Sequence, residues 1–147
     1  MLKGISPLIS PDLLSILSKM GHGDELVVGD AHFPAETVAS KYCVRADGLT
    51  VPQLLDAILP LFELDRYVES PVITMEAVPG DKLNPAIEAS YRKCCDSNGY
   101  SWAKMSRLER FAFYERAKKA FVIIQSGDTA TYANVILKKG VTPLQKN

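Results

Sequence analysis

Five short runs rich in β-branched and apolar residues, Leu26–Val28, Tyr42–Ala46, Val72–Val78, Phe121–Ile124 and Val135–Leu137, alternate along the chain with segments of helical apolar spacing. Strands separated by helices need crossover connections, and these lay the helices over the faces of one sheet. The pattern predicts an α/β fold: a single layered domain spanning 1–147, with a mainly parallel or mixed sheet flanked by helices. No internal repeat, low-complexity segment or long linker divides it.

Local signals set the helix bounds. Ser10 as N-cap, Pro11 at the first helical position and the stripe Leu13, Leu14, Ile16, Leu17, Met20 predict a helix over 11–20, closed by Gly21. Pro34 opens a short turn through Val38. Thr50 and Gln53 have capping-box spacing before Leu54, Leu55, Ile58, Leu59 and Phe62, with Pro60 ending or distorting the last turn. Asn84-Pro85 starts a helix to about Cys95. Ser106 and Glu109 repeat the capping-box spacing and predict a helix from Arg107 to about Lys119.

Between the first helix and the second strand, residues 20–34 gather both histidines and three carboxylates around the apolar run Leu26–Val28. Gly21 and Gly23 flank His22, which frees the backbone to project the imidazole from a turn. His22 precedes the strand and Asp30 follows it, and strand ends in α/β proteins border ligand crevices. Histidine titrates near pH 6.5, about the value in model peptides, so it can both give and take a proton at neutral pH. Against this, a histidine at a helix C-terminus also serves as a simple charge partner for the helix, and an aspartate after a strand as a turn residue.

Charge and composition narrow the partners. Seventeen basic and seventeen acidic residues cancel without a basic block, which argues against nucleic acid and anionic membranes and suits a small neutral ligand. No apolar run approaches the roughly 20 residues that cross a bilayer, and Met1–Pro7 lacks the apolar core of a signal peptide, so a cytoplasmic location is expected. Cys43, Cys94 and Cys95 are too few and wrongly spaced for a disulfide framework.

Several motifs in fixed order resemble the RbsD/FucU family of monosaccharide mutarotases: Met20-Gly-His-Gly-Asp-Glu25, Asp30-Ala-His-Phe-Pro34, Arg45-Ala-Asp-Gly-Leu49, Leu64-Asp65 with Tyr67, Arg110-Phe-Ala-Phe-Tyr-Glu-Arg-Ala117, and Tyr132-Ala-Asn134 before Leu137-Lys-Lys-Gly-Val141. The likeness covers almost the whole chain and is closest to the fucose-acting branch. It implies an RbsD-like fold and a cofactor-independent isomerase acting on L-fucose. His22 and Tyr114 would be its proton-transfer groups, and Asp30, Asp65, Arg110, Tyr132, Ala133 and Asn134 its sugar-binding residues. It also implies a homo-oligomer, a ring-shaped decamer with sites near subunit contacts. The Arg110/Tyr114 pair is what selects fucose over ribose, because the ribose branch typically carries histidine for the arginine and lacks the tyrosine. Ala133 departs from the glycine frequent in fucose enzymes, and its methyl is expected to crowd a backbone contact.

The blander readings are specific. Arg110 and Tyr114, four apart on a helix, could be an ion-pair residue and a core filler. Asp65 could end a helix. His32 reads as structural, Arg45–Gly48 as a strand-to-turn joint, and Tyr100 and Trp102 as core or interface aromatics. Alternatives of other classes are a ribose pyranase-type mutarotase, a non-catalytic sugar-binding regulatory module, and a metal hydrolase built from His22-x-Asp24 with Asp30-x-His32. The expected ligand set includes no metal.

Overall fold

The computed structural model describes residues 1–145. Six strands, β1 (Glu25–Gly29), β2 (Tyr42–Ala46), β3 (Val72–Met75), β4 (Met105–Leu108), β5 (Val122–Ser126) and β6 (Val135–Lys138), form one sheet in the order β2-β5-β1-β6-β3-β4. Five helices accompany it: α1 (Pro11–Lys19), α2 (Ala35–Val38), α3 (Val51–Ile58), α4 (Pro85–Ser97) and α5 (Arg110–Lys118). The pairs β1/β5, β2/β5 and β3/β4 are parallel, whereas β6 runs antiparallel between β1 and β3. The expected mixed α/β architecture is present.

The strand period of two divides the core into two layers. Leu26 and Val28 of β1, Val122 and Ile124 of β5, and Val135 and Leu137 of β6 face a core shared with α1, α3 and α4. Val27, Ile123, Ile136, Ile73 and Met75 face the other way, against Phe33, Phe113 and Ala117 of the α2 and α5 side. Leu26, Val27 and Val28 are all fully buried. Each such side chain stabilises the fold by roughly 1.5–3 kcal/mol of transfer free energy, so a sheet covered on both faces needs the continuous apolar run seen in the sequence. A bidentate pair between Arg116 and Glu25, at 2.6–3.0 Å, fastens α5 to the start of β1.

Several boundaries follow the predicted signals. Ser10 Oγ accepts from the Leu13 amide, the Thr50/Gln53 capping box is formed, and Asn84 caps α4. Pro60 lies in a 3₁₀ turn, Leu59–Leu61, that finishes α3.

Three boundaries are corrected. The Ser106/Glu109 spacing is not a capping box: Met105–Leu108 is edge strand β4, Ser106 Oγ pairs with Ser70 Oγ, and the helix starts at Arg110. Glu109 itself is the N-cap, accepting from the amides of Phe111 and Ala112. The strand predicted to run to Val78 stops at Met75, because the chain leaves the sheet for a Pro79-Gly80 turn in which Gly80 has φ +91°. At the end of α1, Met20 is the extended cap and Gly23, not Gly21, takes the left-handed conformation, at φ +86°.

Candidate active site

The carboxyl ends of β1 and β3, the loop entering β6 and the first turn of α5 converge on a cavity of about 210 Å³. Asp30, His32, Phe33, Met75, Asp81, Arg110, Tyr114, Thr131, Tyr132 and Asn134 line it. That volume is small beside the roughly 300–1,000 Å³ of pockets for drug-sized ligands and is on the scale of a single sugar ring. A larger groove of about 590 Å³ between α1 and β2 is lined by exposed Asp12, Lys19 and Arg45 and lies away from these groups.

Asp30 is the most rigidly held member. Its amide donates to Asn134 Oδ1 at 2.8 Å, its carbonyl accepts from Gln125 Nε2, and its Oδ1 accepts from the His32 amide at 2.9 Å. Glycine is required just before it, since a Cβ on Gly29 would sit 2.6 Å from the Phe33 side chain. Burial pushes the Asp30 carboxyl above its ordinary value, against the opposing pull of the His32 amide and the Asn134 side chain. A buried carboxylate with acceptor capacity left over is suited to gripping adjacent hydroxyl groups.

Arg110 opens α5 with its side chain exposed at the cavity, and its Nε donates to Tyr114 Oη at 3.4 Å, so the predicted shared face exists. The Tyr114 ring leans on Phe33, centroids 5.5 Å apart. Asn134 is buried; with its oxygen committed to Asp30 and its Nδ2 on Met75 Sδ at 3.6 Å, it shapes the cavity wall. Tyr132 has φ +63°, a conformation that costs an aromatic residue on the order of 1–3 kcal/mol and persists only when neighbours enforce it. Its hydroxyl donates to Asp81 at 2.6 Å. Hydrogen bonding to that carboxylate, with some burial, raises the Tyr132 phenol.

His22 and Asp65 lie elsewhere. His22 precedes β1, at the opposite end of the strand from Asp30, and its Nε2 is 3.2 Å from Asp65 Oδ1. With a carboxylate as acceptor, Nε2 carries the proton and Nδ1 is left free. The Asp65 carboxylate is buried and also accepts from the Tyr67 amide, whereas the His22 side chain is 47% exposed, beside the Tyr67 ring. Asp65 therefore neither ends a helix nor lines the cavity; it holds an imidazole. Within one subunit the two predicted proton-transfer residues are not brought together.

Other expectations are also revised. His32, read as structural, is exposed and lines the cavity. The Ala133 side chain is buried in the core on the opposite face of the sheet, so its methyl does not crowd the cavity. Phe33, Met75, Asp81 and Thr131 were not singled out in the sequence, since apolar liners look like core and Asp81 like a turn residue. Tyr100 is buried with its hydroxyl on the Phe62 carbonyl, and Trp102 stacks under Arg66 at 4.3 Å, both away from the cavity. His22-x-Asp24 and Asp30-x-His32 flank opposite ends of β1 and do not assemble one metal site. Among the described residues no group of three or more His, Cys, Asp or Glu is placed to hold a metal ion.

Residues 3–142 match the model of the RbsD / FucU transport protein family. The chain belongs to the RbsD/FucU family. An L-fucose mutarotase of Histophilus somni is 57% identical over 145 residues, 99% of this chain and all of that one. Another, from Actinobacillus pleuropneumoniae, is 54% identical with the same coverage. The fucose mutarotase of Streptococcus pneumoniae, solved in complex with L-fucose, superposes with a TM-score of 0.91 at 47% identity, over 97% of this chain and 100% of that one. Bacillus subtilis RbsD, solved with D-ribose, shares the fold at 20% identity and a TM-score of 0.76, covering 97% and 99%.

Proposed function

We propose that this protein is a cofactor-independent isomerase that interconverts the α and β anomers of L-fucose by opening and closing the hemiacetal. The observation that carries the reading is the convergence of Asp30, Arg110, Tyr114, Tyr132 and Asn134 on one sugar-sized cavity, in a chain more than half identical to a protein named L-fucose mutarotase.

Ring opening moves one proton off the anomeric hydroxyl and one onto the ring oxygen while the C1–O5 bond breaks. Rotation about C1–C2 and reclosure complete the exchange without net chemistry. Asp30 and Arg110 grip hydroxyls, Tyr132 and Asn134 shape the wall, and Tyr114 stands within the cavity as an acid. His22 serves as the principal acid/base; positioned proton transfer contributes on the order of 10²–10⁴-fold. Its Nδ1 is free and its ring half exposed, with Asp65 fixing the tautomer.

His22 reaches a sugar site in the cavity of a neighbouring copy. Its surroundings suit a contact between copies, with exposed Tyr67 beside it, exposed Val141 on the same surface pocket as Tyr67, and exposed Phe111 beside Arg110 at the cavity. The assembly is a homo-oligomer, a ring-shaped decamer, working in the cytoplasm. No helix among the described residues is long and apolar enough to cross a membrane.

Saturation-transfer proton NMR on the anomeric signals of L-fucose tests the reading, with D-ribose as comparison. Trace protein should speed exchange on fucose. Binding of fucose with no acceleration would leave a sugar-binding regulatory module, and faster exchange on ribose than on fucose would make it a ribose pyranase-type enzyme. Analytical ultracentrifugation should give a mass of ten subunits; a monomer active at nanomolar concentration would sink the shared site.

A further inference from the structure

The loop over 76–84, between β3 and α4, closes one side of the sugar cavity and encloses a second cavity of about 380 Å³ lined by Glu76–Asp81, Glu109 and Arg110. Asp81 and Arg110 line both cavities, so these two side chains stand at the boundary. At its start the loop is pinned by the Glu76 amide on the Leu108 carbonyl at 2.7 Å, and inside by a turn in which the Asp81 amide donates to the Val78 carbonyl at 3.0 Å. Its side-chain ties to the cavity wall meet on one atom: Tyr132 Oη donates to Asp81 Oδ2 at 2.6 Å and accepts from the Val78 amide at 3.4 Å.

We propose that Asp81 is a positioning residue of the sugar site, acting through Tyr132. A phenol has one proton. Given to Asp81, it leaves the Tyr132 oxygen facing the cavity as an acceptor, ready to take a hydrogen bond from a sugar hydroxyl. The same bond holds the ring of a residue whose left-handed backbone needs outside enforcement, and ties the loop across the cavity with a charge-assisted contact. Without the carboxylate the loop's tie to Tyr132 is reduced to the longer Val78 contact, and the phenol proton turns toward the cavity. The proposal rests on the mutarotase reading for the identity of the sugar, but the anchor itself is a statement about the free protein.

The test compares wild type, Asp81→Ala, Asp81→Asn, Tyr132→Phe and Asp81→Ala/Tyr132→Phe. Asp81→Ala should raise KM for L-fucose by about tenfold, the scale of one charge-assisted hydrogen bond, and leave exchange at saturating sugar within about threefold. Asp81→Asn, whose amide oxygen still accepts the phenol proton, should recover most of that loss. In the Tyr132→Phe background Asp81→Ala should add less than about twofold, because the two residues act as a unit. Hydrogen exchange of the amides over 76–82 should speed up in Asp81→Ala and at least as much in Tyr132→Phe, which also loses the Val78 contact.

A full tenfold effect of Asp81→Ala persisting without the Tyr132 hydroxyl would overturn the proposal and make Asp81 a direct sugar ligand. So would unchanged KM and unchanged amide exchange in folded Asp81→Ala. If wild type binds fucose without accelerating exchange, the mutarotase reading fails separately. The anchor is then supported by lost fucose affinity in calorimetry together with lost amide protection, and refuted if neither changes.

Discussion

The two ends of β1 solve opposite problems. At the carboxyl end Asp30 is buried and its backbone is locked by Asn134 and Gln125, around a cavity furnished to hold hydroxyl groups. At the amino end His22 is half exposed, hydrogen-bonded to Asp65 and set beside the Tyr67 ring. In the proposed mechanism the first end is a site without its best acid/base, and the second an acid/base without a site. Under the proposed mechanism, a fold that separates His22 from the cavity by the length of a strand makes the reaction depend on a second copy. The separation also lets each part be disabled alone.

The largest effect should come from joining the ends. His22→Ala should lower anomer exchange by about 100-fold or more while leaving fucose affinity within a few-fold. Asp30→Asn should disable the other part. Mixed at sub-saturating fucose under conditions that exchange subunits, the two impaired proteins should reach up to about a quarter of wild-type activity, since some contacts then pair an intact cavity with an intact histidine. Failure to regain any activity, in oligomers shown to be mixed, would place both residues in one subunit's site and break the comparison.

Asp30→Asn should cost about tenfold in fucose affinity, the scale of a charged hydrogen bond, yet stabilise the protein. Burial raises the Asp30 carboxyl above its ordinary 3.8, so the folded state pays for the charged form. That penalty is absent below the unfolded value and complete above the folded one. The advantage of asparagine in thermal midpoint should therefore be nil near pH 3 and grow as pH rises through the raised Asp30 value. A variant less stable than wild type at pH 7 would show that the carboxylate is structural.

The fold was legible where burial and caps dominate. The continuous run Leu26–Val28, the Thr50/Gln53 box and Asn84-Pro85 each state a local requirement that tertiary contacts did not override. It was misread at Ser106–Glu109, where a four-residue pattern met by chance lost to strand pairing with β3, a partner more than thirty residues away. The cavity lining was legible at Asp30, Arg110, Tyr114, Tyr132 and Asn134, and illegible where a liner resembles core, as at Phe33 and Met75, or a turn residue, as at Asp81. What no local pattern could give was distance: His22 and Asp30 are near in sequence because one strand joins them, and far in space for the same reason.

A smaller shift should follow from Arg110→His, which replaces a guanidinium fork beside Tyr114 by a shorter imidazole. The ratio of fucose to ribose exchange should fall by about fivefold, most of it through KM, the scale of about 1 kcal/mol of lost contact. Equal loss on both sugars would show that Arg110 grips a hydroxyl common to the two and does not choose between them.

The smallest effect belongs to the support of the histidine. Asp65 is 1% exposed and accepts from both His22 Nε2 and the Tyr67 amide. An asparagine there can keep both contacts through its oxygen, but the neutral amide favours an imidazolium less in the transition state. Asp65→Asn should slow exchange about threefold with an unchanged fucose KM. In the His22→Ala background it should do nothing, because a residue that acts through another has no effect once that one is gone. If Asp65→Asn alone matched the full loss of His22→Ala, or lowered the residual activity of the His22→Ala protein further, the carboxylate would be exchanging protons with the sugar itself. The amino end of β1 would then hold a second binding surface in place of a lone donor.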